Sequence, residues 1–393
     1  MTTTTPALAP ARRAGRPPPW RDVRVLAWIF QFAVLAVAVF IVSWLWDNLQ
    51  VNSQRQNIPT SFDYLDQPAG FPIANSAFRQ TQPVHAALVV GLLNTLRLAV
   101  VGIVLATVFG TLLGVARLSK NFLVRKIAQV YVETVRNVPL LGIIILIYLA
   151  VVLNMFPKPN DALRIGPLAV ISVRGATLAY YEGATWKFLV VVAALVLSTW
   201  VVVRWRRATA DRRGVAARAG WWALGIGAVV LVVLWLALGL GGSTPTVNGR
   251  RVTGGIAMTP EYFAALAGLV LYTSSHIAEI VRGSIQAVPR SQGEAADALA
   301  LSGFQRVWFV VLPQAMRIAV PPIGNQYLNL AKNSSLAAVI SFPELTQVTQ
   351  LSVANRSPAV PSYALLLLIY LVLCLVLSTI VNLANRHLAI VER

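Results

Sequence analysis

The sequence predicts an all-α integral membrane protein of about eight transmembrane helices, with both termini cytoplasmic. Apolar residues make up 57% of the 393 residues and charged residues 12%, far too apolar a balance for a water-soluble chain of this size. The apolar residues gather into runs, several of them long enough to supply the roughly 20 helical residues that cross about 30 Å of hydrocarbon. The basic residues, which set the formal net charge at +19, collect mainly between those runs.

Residues 1–24 form a basic arm and 25–46 the first span. The apolar run is longer than the core of a signal sequence and no small-x-small cleavage site follows it, so it is expected to remain as a helix. The segment 47–86 mixes Pro, Gly, Asn and aromatic residues, which favours irregular or interfacial structure over another crossing. Spans at 87–116 and 138–154 follow, and the loop between them holds Arg117, Lys120, Arg125, Lys126 and Arg136. A second long outer segment, 155–186, has the same irregular composition; spans 187–205 and 221–241 then flank a stretch containing Arg204, Arg206, Arg207, Arg212, Arg213 and Arg218. The last three spans are 260–281, 314–340 and 363–385. Placing the densest basic loops inside, and most loop carboxylates (Asp47, Asp63, Asp66, Asp161 and Glu182) outside, fixes the orientation.

The charge could instead signal nucleic-acid binding, but no basic stretch is interleaved with aromatics on a polar surface, and no zinc-finger or RNA-binding motif occurs. One cysteine, Cys374, excludes an internal disulfide and any cysteine-rich metal site. His85, His276 and His387 are scattered, so neither a metal site nor a clustered catalytic site is expected, and His276 reads as a packed polar residue. Gly102, Ala106, Gly110 and Gly114 recur every fourth residue and predict one closely approached helix face, within the chain or against a second subunit.

Residues 289–313, PRSQGEAADALALSGFQRVWFVVLP, are patterned as two short helices between Pro289 and Pro313. Ser291 with Glu294, and Ser302 with Gln305, each fit a capping box. Such a pair makes either a docking knob or a hairpin that covers its own bundle. Downstream, Pro321 and Pro322 predict a span broken around a polar space, or a short helix followed by irregular backbone. Asn325, Gln326, Asn329, Lys332, Asn333, Ser334 and Ser335 offer a polar line suited to a translocation route for zwitterions; alternatively Lys332 reaches the interface at a helix end. Glu279 and Arg282 are spaced to pair on one helix face, and Arg136 with Asn137 reads as a snorkelling arginine and a helix end.

Glu294-Ala295-Ala296, followed by Val310, Leu312 and Pro313, resembles the EAA loop of membrane subunits from binding-protein-dependent ABC importers. AEIVRGSIQAVPRSQGEAADAL and LPQAMRIAVPPIGNQYLNLAKNSSLAAVI resemble the polar amino-acid uptake branch, and the larger general L-amino-acid permease subunits in particular. Gly91, Asn94, Thr95 and Leu96, with ETVRNVPLL at 133–141, resemble that branch's other signatures, so the likeness covers about 87–154 and 260–390.

The resemblance implies a type I ABC importer transmembrane fold. Residues 1–24 are then a cytoplasmic arm, 25–86 a first helix with its outer loop, and 87–390 the permease domain, with extra helices and loops inserted at about 155–259. It implies that Ser291, Gly293, Glu294, Ala295, Ala296, Ala300, Ser302, Gly303, Leu312 and Pro313 couple the bundle to a cytoplasmic ATPase, and that Arg136, Asn137, Glu279 and Arg282 are structural or coupling residues. Ala300 stands where that family has glycine, and Gly303 is the candidate to supply the turn instead.

The implied partners are a cytoplasmic ABC ATPase dimer, a second permease subunit related but not identical to this one, a periplasmic amino-acid-binding protein and membrane lipid, with no nucleic acid. The implied location is the bacterial inner membrane. No G-x-x-x-x-G-K-[ST] occurs in the chain, so it is expected to be a transport subunit rather than an enzyme, holding no cofactor, with ATP and Mg on the partner. The rival is an ion-coupled secondary amino-acid transporter, which would need mid-membrane carboxylates or histidines that are nearly missing, and repeated halves that are not seen.

Overall fold

A computed structural model of the protein describes residues 23–55, 59–182, 185–213, 219–239, 241–248 and 251–388. The predicted basic arm, apart from Val23 and Arg24, lies outside the described residues, as do Arg218 and Arg250. The chain forms two units, Met1–Tyr64 with Pro358–Pro361, and Leu65–Ser357 with Ser362–Arg393.

The first unit contains α1 (Val23–Arg55), longer than its predicted span. It is apolar on every side, with Trp28, Phe30, Phe32, Phe40, Trp44 and Trp46 all more than half exposed, the pattern of a helix solvated by lipid.

In the second unit α2 (Val84–Ala116) packs along α7 (Pro260–Gln286). Gly110 and Gly114 of the four-residue stripe make this contact, while Gly102 lies mainly against Leu330. A Cβ added at Gly110 would lie 2.7 Å from Cβ of Ile277, and one at Gly114 would lie 2.8 Å from the carbonyl of Ala278. The stripe is therefore used inside the chain, and it lets α7 come close enough to bury Leu98, Leu269 and Ile277 completely.

Between these partners come α3 (Phe122–Asn137) and α4 (Leu140–Leu146), the latter prolonged by a π-helical stretch to Met155. The expected loop at 117–137 is thus mostly helix. Asn121 caps it, its side chain accepting from the backbone N–H groups of Leu123 and Val124. Val138 before Pro139 is extended, as a residue preceding proline should be, and the chain bends by 105° there.

Past the end of α1 the outer segment 47–86 is irregular as expected, its described residues 59–83 holding only a 3₁₀ turn at Asp63–Asp66 and a single bridge between Pro68 and Pro83, whereas 155–186 is not. β1 (Leu163–Ile165), β2 (Ala169–Ser172) and β3 (Gly175–Leu178) form antiparallel pairs, and β8 (Ile256–Met258) completes the sheet in the order β1-β2-β3-β8. β4 (Tyr180–Glu182) pairs with β5 (Gly241–Ser243), and β6 (Thr246–Asn248) with β7 (Arg251–Thr253). Between β4 and β5 runs a helical hairpin, α5 (Thr185–Arg213) and α6 (Ala219–Ala237). β8 leads directly into α7, whose first turn is capped by Thr259 accepting from Tyr262 N–H, with Pro260 at the position where a missing N–H does no harm.

After α7 come α8 (Arg290–Ala298) and α9 (Gly303–Arg306), a π-helical turn at Val307–Val311, α10 (Leu312–Asn333) and a 3₁₀ stretch to Ile340. The second short piece therefore does not stop at Pro313, nor does the helix break at Pro321 and Pro322. A widened turn lies just upstream of Pro313, and Pro321 and Pro322 remove donors only to the carbonyls of Arg317 and Ile318, which lie on the exposed side. The chain closes with α11 (Leu345–Ala354) and α12 (Ala359–Leu388).

Each of the eight expected spans coincides with a helix. Among the described residues, however, five helices are long and apolar enough to cross a membrane, or six if the bent pair Phe122–Met155 counts as one, and α5 and α6 are not among them.

Candidate functional site

Features that could serve transport occupy both ends of α7 and the face of α10. The first is the knob of α8 and α9. Helix α8 begins at Arg290 after Pro289, so Ser291 lies inside it and makes no cap; the expected Ser291–Glu294 capping box does not form. The second box does: Ser302 Oγ accepts from Gln305 N–H at 3.3 Å while Gln305 Oε1 accepts from Ser302 N–H at 2.9 Å.

The turn between the two helices is made by Ala300, with φ of 53°, and not by Gly303, which is the first residue of α9. Leu301 N–H donates to the Ala296 carbonyl at 3.1 Å and Ala300 N–H to that of Asp297 at 2.9 Å. That bond pair is the Schellman ending usually completed by glycine. Arg306 holds the helices together through both oxygens of Asp297, at 3.0 and 2.8 Å.

Ala296 is buried beneath the knob, and Ala295, Glu294, Leu299 and Phe304 face outward. Leu299 and Phe304 are each 75% exposed, and Phe304 stacks on the exposed Trp308. The apolar members of this patch, with Phe309, were not among the expected site residues. Their signal was available in the sequence as large apolar side chains within an otherwise polar helix pair. Leu312 is half-buried and Pro313 exposed.

Just inside the knob, Glu279 of α7 gathers arginines from three helices. Arg117, at the end of α2, and Arg282, one turn along α7, both donate to it, and Arg136 of α3 lies 3.9 Å away. Arg282 also donates to Gln286. The expected Glu279–Arg282 pair is present, but Arg117 is the deepest member, its side chain 12% exposed, and spacing alone could not find it. Asn137 is the exposed last residue of α3. His276 packs obliquely against Tyr272, its Nε2 buried and, among the described residues, without a hydrogen-bond partner.

Along α10, Asn325, Asn329 and Lys332 are exposed on one helix face, with Arg317 two turns before Asn325; Gln326 and Asn333 are half-buried. The serines do not extend this line. The helix tightens to 3₁₀ after Asn333, Ser334 is fully buried with its Oγ donating to the Ala331 carbonyl, and Ser335 donates to that of Lys332.

At the other end of α7, about 40 Å from the knob by helix length, lies a cavity of about 300 Å³. Arg97 and Asn94 of α2, Glu261 and Tyr262 of α7, Asn75 and Ser341 supply its polar lining. Arg97 lies over the Tyr262 ring at 5.0 Å, and Tyr148 donates to Glu261 at 3.3 Å. Both a guanidinium and a carboxylate thus face one cavity. Neither residue was singled out from the sequence, although an arginine in the middle of an apolar span is costly enough to be a signal.

Beside the cavity, Asn94 donates to the Pro343 carbonyl at 2.8 Å, and Thr95 Oγ1 accepts from Leu345 N–H at 3.1 Å, so this stretch of α2 anchors the start of α11. Glu344, fully buried, caps α11 by accepting from Thr346 and Gln347 N–H and from Tyr370 O–H. Burial pushes its carboxyl above the ordinary carboxylate value, and the hydrogen bonds offset only part of that.

Residues 102–390 match the family described as binding-protein-dependent transport system inner membrane component. Over 379 residues the chain is 37% identical to the Escherichia coli K12 protein YhdX, whose name describes an amino-acid ABC transporter permease, with 94% of this chain and 95% of that protein covered. It is 35% identical to the general L-amino acid transport system permease protein AapQ of Rhizobium johnstonii, with 95% and 94% covered. It is 34% identical over 411 residues to the glutamate/glutamine/aspartate/asparagine transport system permease protein BztB of Rhodobacter capsulatus, with 95% and 96% covered.

Proposed function

The chain belongs to the family of binding-protein-dependent transport system inner membrane components, and from that premise we propose that it carries L-amino acids through a bacterial inner membrane as one subunit of an ATP-driven importer. A separate cytoplasmic ATPase dimer docks on α8 and α9 and holds the ATP and Mg. A second, related permease subunit covers the polar face of α10, and a periplasmic amino-acid-binding protein delivers substrate to the opposite side. In this reading the protein has eight spans, α5 and α6 included, both termini are cytoplasmic, and 87–390 is the permease domain with the insertion at about 155–259.

The observation that carries the coupling is that the large apolar side chains Leu299, Phe304 and Trp308, with Glu294, are exposed on a knob fixed internally by a helix ending, a capping box and an ion pair. Large apolar side chains left exposed on a short, internally braced helix pair are the usual mark of an interaction site. The α10 face adds support, because Asn325, Asn329 and Lys332 are costly against lipid and need a polar route or a partner. The outer cavity suits zwitterions: Arg97 offers a fork for an α-carboxylate and Glu261 an acceptor for an α-ammonium, while the remaining lining is tolerant of side-chain type. The arginine cluster on Glu279 ties α2, α3 and α7 together next to the knob, where movement of α8 and α9 would reach it.

The test is ATP hydrolysis by the complex reconstituted in lipid with its ATPase and binding protein, using a panel of L-amino acids and comparing wild type with Glu294→Lys. Stimulation by L-amino acids that the substitution abolishes is expected. Transport that persists without the ATPase and depends on an ion gradient would favour a secondary transporter instead.

A further inference from the structure

The α5–α6 hairpin is used by none of the features above, yet it carries a built arrangement of its own. Leu195, Val196, Thr199, Trp200 and Val203 form two ridges four residues apart on α5 and bound an open groove of about 670 Å³, ending at Arg204. From Leu195 to Arg204 the groove runs about 13 Å. At that end the Arg204 guanidinium lies 5.5 Å from the centre of the Trp200 ring, and Arg206 lies between Trp205, at 5.8 Å, and Trp222 of α6, at 5.1 Å. Trp200 and Trp205 are more than half exposed. The sequence 204–218, from the last turns of α5 to the start of α6, is rich in arginine and contains one carboxylate, Asp211.

We propose that this face of the hairpin is a binding site for an anionic phospholipid, with an acyl chain along the α5 groove and the headgroup phosphate at Arg204 and Arg206. It rests on reading α5 and α6 as a membrane hairpin and goes beyond the transport function. An apolar channel ending in guanidinium groups is complementary to an amphiphile with an anionic head, and tryptophans stationed beside the arginines match the depth at which headgroups lie. The stacking also presets the arginine side chains, so less rotamer freedom is lost when a phosphate binds. A protein partner would have to cover a dense positive field with a matching acidic surface, whereas the inner leaflet supplies anionic headgroups continuously.

Native mass spectrometry of the purified transporter complex, titrated with phosphatidylglycerol or cardiolipin against phosphatidylcholine, tests the site. Wild type should retain the anionic lipids selectively. Arg204→Gln combined with Arg206→Gln should weaken that retention about twentyfold, since one arginine near a membrane surface contributes about fivefold. Thr199→Trp, which fills the groove and leaves both arginines, should weaken it too and keeps the test decisive if the double variant does not assemble. Arg125→Gln on α3 should change nothing, and inorganic phosphate should not compete. Unchanged retention in the groove variant, an equal loss in Arg125→Gln, or a photo-crosslinker at Val196 that captures a protein subunit rather than lipid would overturn the proposal.

Discussion

The α2–α7 interface and the α8–α9 knob follow one another along the chain and are built on opposite principles. The first is packed to contact: glycines admit the partner helix, Ile277 and Leu269 are completely buried, and at its inner end Glu279 meets its arginines. The knob buries little beyond Ala296, and bonds within its own backbone hold its shape, leaving apolar side chains uncovered. Substitutions in the first region should therefore be felt as stability, and those in the second as coupling with the fold intact. Each substitution below can break that division.

Glu279→Ala carries the largest expected effect. It leaves Arg117 with no compensating carboxylate at a nearly buried position, and removing one partner of a buried pair costs about 3–5 kcal/mol. Because Arg136 and Arg282 reach solvent, we expect the lower part of that range, about 3 kcal/mol, read as a lower thermal unfolding midpoint of the purified subunit. A midpoint unchanged with only ATPase activity lost would move Glu279 into the coupling class. Gly110→Ala comes next. Its new methyl would overlap Ile277 and the Ser274 carbonyl, and forcing α2 from α7 should cost about 1–3 kcal/mol. The same substitution at Gly142, where nothing lies within 4 Å, should be tolerated.

The same division explains what could be read in the sequence. Long apolar runs locate helices because lipid imposes a length and a composition, so all eight expected spans fall on helices. Helix α3 was missed because it is amphipathic, with Arg125 and Lys126 between Leu123 and Ile127, and a search for unbroken apolar windows passes over it. The strands are three or four residues long and rest on pairings as distant as Ala176 with Met258, which local pattern does not encode. Proximity hid the site as well: Arg97 and Glu261 face one cavity from α2 and α7, and Arg117 reaches Glu279 at the other end of the same helix pair. Where the chemistry is local, as in the Ser302–Gln305 box, the sequence was sufficient; for Ser291–Glu294 the same pattern failed because Pro289 starts the helix two residues too early for Ser291 to cap it.

In the knob the expected effects are smaller and one has the opposite sign. Ala300 occupies a left-handed position that costs an L-residue about 1 kcal/mol, so Ala300→Gly should raise stability by up to that amount, less the extra freedom glycine gains in the unfolded chain. If the Schellman turn is what sets the angle between α8 and α9, amino-acid-stimulated ATPase activity should be retained in this variant. A loss of stimulation with the fold intact would mean that the alanine methyl itself contributes to docking.

Asp297→Ala is the smallest. The Asp297–Arg306 pair is roughly half exposed, a setting in which ion pairs contribute about 0.2–1 kcal/mol, so the unfolding midpoint should hardly move. Its effect on ATPase stimulation separates two ways of building the knob. Retained stimulation would mean that the turn at Ala300 and the box at Ser302 suffice to hold the two helices at their working angle. Weakened stimulation at unchanged stability would show that the ion pair orients Phe304 and Leu299 for the ATPase, a role that neither burial nor unfolding measurements can register.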